Sequence, residues 1–233
     1  MIKNNDIKTS PKQRIVIVAI AIFMLLSTFA LYAGIVLNAT STSDDDRVVA
    51  TQEEEDRFNE LYSEYQAQVE AQSDELSGKY FDSFVSYKER VKSFNQADID
   101  EVKTTDIKVG TGDEVSNSEF IDYAAYYVGW LKDGTVFDSS FDDFSNPTKL
   151  KSPLIGNASM IEGWKMGIVG MKIGGIREIS IPSQLAYGDQ DNGDIPANSS
   201  LKFIVMLIEQ PEEIPVSDEL NHLYNKVILG VDE

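Results

Sequence analysis

Four aromatic residues from separate segments, Tyr127, Phe137, Trp164 and Tyr187, accompany one carboxylate, Asp138. They sit in Tyr127-Val-Gly-Trp-Leu-Lys-Asp-Gly-Thr-Val-Phe-Asp138, in Ile161-Glu-Gly-Trp164 and in Leu185-Ala-Tyr-Gly188. Rings that converge around a single carboxylate enclose a small apolar pocket with few polar groups. Such a pocket suits an apolar ring, such as that of proline, better than it suits hydrolysis or phosphate chemistry. Other catalytic side chains are scarce. There is no cysteine, which removes thiol catalysis, disulfides and cysteine zinc sites. The single histidine, His222, lies near the C-terminus and supports neither a triad nor a multi-histidine metal site. No metal and no cofactor is implied.

The elements that must position these residues are legible as local patterns. Lys132-Asp133-Gly134 lies between alternating apolar residues, and Asp-Gly in that setting signals a hairpin. Ser159 and Glu162 stand at capping-box spacing ahead of a short helix over 161–168. Asp106 to Gly112 reads as a first strand ending in a glycine turn. Residues 122–131 read as a strand with Tyr123, Ala125 and Tyr127 on one face, and 175–181 as another, stopped by Pro182. Leu201, Phe203, Val205 and Leu207 alternate in a final strand that Pro211 breaks. Mostly strands with one short helix predict an α+β class, an antiparallel sheet folded over a helix. Taken singly, Trp164, Phe137 and Phe203 also read as core, and Asp138 beside Ser139-Ser140 as a turn cap. Tyr127 and Tyr187 fit a site better, because a buried hydroxyl needs a partner.

From about residue 101 to 211 the chain resembles the FKBP-type peptidyl-prolyl cis-trans isomerases. The resemblance is carried by Tyr-x-Gly-x-Leu-x-Asp-Gly-x-x-Phe-Asp-Ser-Ser (127–140), Met-Ile-x-Gly-Trp (160–164), Gly-Met-Lys-x-Gly-Gly (170–175) and Leu-Ala-Tyr-Gly (185–188). Ile195-Pro196 and Leu201-x-Phe203 complete it. It implies a curved antiparallel sheet wrapped around one short helix, and isomerisation of X-Pro bonds in unfolded or nascent chains. It also implies roles. Trp164 resembles the pocket floor, and Tyr127, Phe137 and Phe203 resemble its walls. Asp138 matches the pocket carboxylate. Met160 and Ile161 match the substrate-binding segment, with the Ile161 N–H donating to a substrate carbonyl. Tyr187 would donate to a second carbonyl, and Ile195 would come from an overhanging loop.

Two departures stand out. Relatives often place an arginine shortly after Asp-Ser-Ser to pair with the aspartate; here the aligned residue is Asp143, which would leave Asp138 unpaired beside another carboxylate. Relatives also place an aromatic wall residue after the proline matching Pro147; here Thr148 follows, with Leu150 or Phe144 as substitutes. The loop before Ile195 carries Asp189, Asp191 and Asp194, which would favour neutral or basic segments beside the target proline. A rival reading keeps the proline pocket as a binding or chaperone module with little turnover.

The remaining half of the chain lies outside the resemblance. A formal charge of -19 over 233 residues argues against nucleic-acid binding. Ile15 to Leu37 is free of charged residues and long enough to span a bilayer, which takes about 20 apolar residues. It is also longer than the roughly 7–15 apolar residues at the centre of a cleaved signal peptide, the competing reading. Lys3, Lys8, Lys12 and Arg14 precede the run and Asp44, Asp45 and Asp46 follow it. The positive-inside rule then predicts a single-pass protein of the cell membrane, N-terminus cytoplasmic and the rest outside. Residues 47–94 read as two helices broken near Ser77-Gly78. Tyr80, Phe84, Tyr87, Val91 and Phe94 fall at heptad spacing, so these helices form either a stalk packed on the domain or on itself, or a dimerising coiled coil. A short amphipathic helix is expected over 217–230, through Leu220, Leu223, Tyr224 and Val227. The expected order is cytoplasmic N-terminus (1–14), transmembrane anchor (15–37), acidic linker and helical stalk (38–100), isomerase-like domain (101–211) and C-terminal tail (212–233).

Overall fold

The computed structural model describes residues 49–116, 123–156 and 160–231. The apolar run Ile15–Leu37 and its flanking charges lie outside the described residues, as does Ser159. Among the described residues, no helix is long and apolar enough to cross a membrane. They divide into two compact units, Gln66–Ile214 and the remainder, residues 49–65 with 215–231.

The first helix among the described residues, α1, runs unbroken from Gln52 to Val85, 34 residues, where the sequence predicted a break at Ser77-Gly78. One interior glycine costs a helix only about 1 kcal/mol, too little to end one whose neighbouring residues are packed. Ser77 is itself buried, and its hydroxyl accepts a hydrogen bond from the Leu150 amide at 2.8 Å. The start of α1 is a capping box that the sequence reading did not single out. The Thr51 hydroxyl accepts from the Glu54 amide (3.3 Å), and the Glu54 carboxylate accepts from the Thr51 amide (2.8 Å). Glu53, Glu54 and Glu55 occupy the first turn, where the helix dipole favours negative charge.

In the smaller unit, Phe58, Leu61, Tyr62 and Tyr65 of α1 pack with Leu220, Leu223 and Tyr224. The last three lie on the helix Asp218–Tyr224, which a wide π turn extends over Asn225–Leu229 to Gly230. This is the tail helix expected from its apolar spacing. Arg57 donates to both Glu219 oxygens, at 2.9 and 3.1 Å, and Lys226 reaches Glu54 at 2.7 Å.

In the larger unit, six antiparallel strands form one sheet: β1 (Lys103–Lys108), β2 (Tyr123–Trp130), β3 (Val136–Ser139), β4 (Leu154–Ile155), β5 (Ile176–Ile181) and β6 (Leu201–Glu209). Their order is β1-β5-β6-β2-β3, with β4 also pairing to β2. β1 begins before the predicted Asp106, because Lys103 to Asp106 pair in register with Arg177 to Ser180. The short helix α2 (Glu162–Ile168) lies on one face, against Ile179 and Ile181. It meets the expected α+β arrangement. Its approach to the sheet is close, since a Cβ on Gly163 would lie 2.2 Å from Ile181 Cγ2 and one on Gly167 2.5 Å from Ile179 Cγ2. Glycines one turn apart on α2 are what let the helix settle onto β5.

The opposite face of the sheet is not bare. Ala124, Tyr126, Val128, Ile176, Ile204, Met206 and Ile208 point that way and pack with Leu76, Tyr80, Phe81, Phe84 and Val85 of α1. Tyr87, Val91 and Phe94, which follow the helix, join the same cluster. The heptad-spaced set Tyr80, Phe84, Tyr87, Val91 and Phe94 is therefore spent within the chain, and a dimer through residues 47–94 would need other faces of α1. The signal was present in β6, where Ile204, Met206 and Ile208 alternate with Leu201, Phe203, Val205 and Leu207. A strand that is apolar on both faces is buried on both faces.

Candidate active site

The strands bring the predicted rings together on the α2 face. Tyr127 lies on β2, Phe203 on β6 and Trp164 on α2. Phe137 arrives through an irregularity in β3. Asp138 pairs with Gly129 and Val136 pairs with Trp130, so Phe137 is an extra residue between two ladder positions. In a regular strand Phe137 and Asp138 would point to opposite faces. The bulge aims both at the α2 face, a use of bulges that recurs beside active sites.

Four rings meet edge to face. Trp164 and Phe203 have centroids 5.3 Å apart at 89°, Tyr127 and Trp164 5.5 Å at 83°, and Phe137 and Phe203 5.6 Å at 85°. These spacings and angles are those aromatic quadrupoles prefer. Gly129, which the sequence reading treated only as part of a motif, is what admits the rings. A Cβ there would stand 2.6 Å from both Phe137 Cζ and Phe203 Cε1. Trp164 has no exposed surface, and its indole N–H points to the Tyr123 hydroxyl at 3.5 Å. Burial pushes that Tyr123 phenol up to about 12.

Asp138 is not unpaired, contrary to the expectation drawn from the missing arginine. The Tyr127 hydroxyl donates to its Oδ2 in a short hydrogen bond. Burial first, and then the neighbouring carboxylate, hold the Tyr127 phenol far above its ordinary pKa, so it stays a donor. Asp143 turns elsewhere and accepts from the Ser145 amide at 2.8 Å. Neither substitute for the aromatic wall reaches the pocket. Leu150 is fully buried and Phe144 packs on Phe141, both in the cluster beneath α1. Thr148 is drawn to Asp142, which accepts from the Thr148 hydroxyl and from the amides of Thr148 (3.0 Å) and Lys149 (3.2 Å). The Thr148 hydroxyl, with those amides, lowers the Asp142 carboxyl well below the usual range.

Met160 and Ile161 are half-buried against the same aromatic cluster. Ile161 is the N-cap residue of α2 and carries no side-chain cap; the expected Ser159 box falls outside the described residues. Its carbonyl accepts from the Trp164 and Lys165 amides at 3.0 and 3.3 Å, while no described residue accepts from its own N–H. The first N–H groups of a helix have no partner within it. Tyr187 is 38 % exposed at the rim, and its hydroxyl has no hydrogen-bond partner among the described residues. Ile195 is buried with the cluster, at the closing position of the Asn192–Ile195 bridge. The Ile195 and Asn192 backbones exchange two hydrogen bonds, and Asp191 accepts from the Ala197 amide at 2.7 Å.

Arg177, another residue the sequence reading passed over, braces the site from below. Its Nε and Nη2 donate to the two Asp106 oxygens at 2.6 and 3.2 Å. Its Nη1 donates to the Gly167 and Val169 carbonyls at 2.9 Å, which caps the C-terminal end of α2. Arg177 faces Asp106 directly across the β1–β5 ladder.

Residues 108–208 match the family model described as FKBP-type peptidyl-prolyl cis-trans isomerase. The FK506-binding protein 4 of Aspergillus fumigatus is 42 % identical over 108 residues, which cover 46 % of this chain and 21 % of that protein. The FK506-binding protein 2 of Debaryomyces hansenii is 42 % identical over 86 residues, 37 % of this chain and 61 % of that protein. A crystal structure of AtFKBP13 is 35 % identical, covering 47 % of this chain and 93 % of that one, with a TM-score of 0.38. This chain spans about a fifth of the length of the FK506-binding protein 4 relatives. With ordered motifs, a matching family model and identities near 40 % over the same stretch, the domain of residues 108–208 belongs to the FKBP-type peptidyl-prolyl cis-trans isomerase family.

Proposed function

We propose that this chain catalyses cis-trans isomerisation of X-Pro bonds in unfolded or newly translocated polypeptides. The observation that carries the reading is the edge-to-face cluster of Tyr127, Phe137, Trp164 and Phe203 with one carboxylate at its rim. Rotation about the amide must break its resonance, against a barrier of about 18–20 kcal/mol. No nucleophile or proton shuttle is needed. The twisted transition state has lost conjugation, and an apolar pocket that holds it better than either planar form lowers the barrier. Each 1.36 kcal/mol of such preference gives about a factor of ten. In this reading the proline ring sits among Tyr127, Phe137 and Phe203 and meets Trp164 once the rim side chains part. The Ile161 N–H and the Tyr187 hydroxyl donate to substrate carbonyls. The Tyr127–Asp138 bond fixes one wall.

The reading is tested on a fragment that begins at residue 49. A fragment from residue 98 would lack Phe84 and strip the cover from the far face of the sheet. Cis-trans exchange in short X-Pro peptides should accelerate, and Tyr187→Phe should lower kcat/KM about five- to tenfold through one lost hydrogen bond. Peptides with lysine beside the proline should outperform those with glutamate, given Asp189, Asp191 and Asp194. Proline peptides that bind a folded fragment without acceleration would replace the isomerase with the binding or chaperone module. The missing aromatic wall favours that second reading, since Leu150 and Phe144 lie in the other cluster.

The chain is further proposed to be anchored by Ile15–Leu37 with all that follows outside the cytoplasm. The uncharged run and the basic residues before it support this. Because the chain has no cysteine, Val49→Cys gives a single reporter at a residue 84 % exposed. It should react with a membrane-impermeant maleimide in intact cells. Labelling only after lysis would place the domain in the cytoplasm.

A further inference from the structure

The loop that carries Ile195 is held by a residue outside the family match. Gln96 belongs to the 3-10 turn Gln96–Asp98 between α1 and β1. Its Nε2 donates to the Asn198 carbonyl at 2.7 Å, and its Oε1 accepts from the Ser200 amide at 3.3 Å. One side-chain amide thus pairs with the loop backbone as a neighbouring strand would. It grips the loop where the chain is least relaxed. Asn198 is, among the described residues, the one non-glycine with positive φ, 60°. The Asn198 amide also donates to the Gly188 carbonyl at 2.7 Å, which ties the loop's exit to its entrance beside Tyr187. The grip has a firm base. The Phe94 amide donates to the Lys132 carbonyl at 2.8 Å, the Trp130 indole to the Lys92 carbonyl at 3.0 Å, and the Asn95 side chain caps the Ala97 amide at 3.2 Å.

We propose that Gln96 is a positioning residue that sets the height of the 188–200 loop over the pocket, so that the segment preceding the isomerase domain controls the substrate-binding rim. The proposal rests on the isomerase reading for its kinetic consequence but not for its structural one. A pre-formed rim spares the substrate the cost of ordering it. Loss of the clamp should therefore raise KM and leave the twisting step, deeper in the ring cluster, nearly untouched.

The test uses the chain from residue 49 with Gln96→Ala, Gln96→Glu and, as control, Gln72→Ala. The control removes a similar side-chain bond, to the Glu212 carbonyl at 2.8 Å, away from the loop. Hydrogen exchange in residues 189–200 should rise about tenfold in Gln96→Ala, as expected when two local bonds are lost. KM should rise about three- to tenfold with kcat within about twofold. Gln96→Glu keeps the acceptor for Ser200 but sets a carboxylate oxygen against the Asn198 carbonyl, and should loosen the loop at least as much as Gln96→Ala. Unchanged exchange in a folded Gln96→Ala, or a loosened loop with unchanged KM, would overturn the proposal. A wild-type chain without turnover whose loop still loosens in Gln96→Ala would count against the isomerase reading and support the clamp.

Discussion

Trp164→Ala is expected to destabilise the domain by about 3–5 kcal/mol, the range for truncating a buried tryptophan. Trp164 has no exposed surface and stands edge to face with both Tyr127 and Phe203. Its loss would leave a cavity that α2 cannot close, because Gly163 and Gly167 already bring that helix against Ile181 and Ile179. Total stabilities of domains are only about 5–15 kcal/mol, so the variant would be marginal, and a loss of activity in it would prove little. Trp164→Phe separates the two roles. It keeps a ring in the cluster, costs less in stability, and should still lower kcat/KM about tenfold or more if the indole is the surface on which proline turns. Denaturant midpoints with an unchanged m-value, run beside the peptide exchange assay, make the comparison. A stable Trp164→Phe with wild-type kcat/KM would reduce Trp164 to a core residue.

Phe84→Ala should show the opposite pattern, a loss of about 3–5 kcal/mol with kcat/KM unchanged within about twofold under folding conditions. Phe84 has no exposed surface and stacks on Phe141 at 5.5 Å, with Tyr126 at 6.5 Å. Tyr126 is buried with it, and its hydroxyl finds no partner among the described residues. All of these lie on the face of the sheet away from α2, so the damage should be global rather than catalytic. If the variant lost less than about 1 kcal/mol, residues 76–94 would be an ornament on the domain and the stalk reading would return. The two substitutions together ask whether the two faces of one sheet divide stability from chemistry.

Sequence reading failed where a side chain's direction depends on a distant partner. Asp138 was expected to be unpaired because the local stretch offered only Asp143. Its partner is Tyr127, eleven positions earlier, brought diagonally across from it when β2–β3 pairing sets Asp138 against Gly129. Leu150 and Phe144 were reasonable wall residues by position, yet the loop that carries them folds toward α1, with the Leu150 amide fixed to Ser77. The heptad spacing of Tyr80 to Phe94 was real, but a period of about three and a half identifies an apolar stripe and not what it packs against.

The order of motifs, the Asp133-Gly134 hairpin, the alternation in β2 and β6, the short helix beginning near Ile161 and the tail helix over 218–224 were all present in the sequence alone. Turn chemistry and apolar period are local properties, and they survive in any environment that buries one face. The domain family follows from the same residues, because ordered motifs are read without coordinates. Only the tertiary structure decided that a bulge turns Phe137 and Asp138 to one side, and that Gly129 and Gly163 make room for rings and helix. It alone decided that α1 covers the second face of the sheet, and that Gln96 reaches 102 positions along the chain to hold the rim. Each of these rests on contacts between segments far apart in sequence, whose geometry is set by strand register and close packing and leaves no periodic trace in either segment.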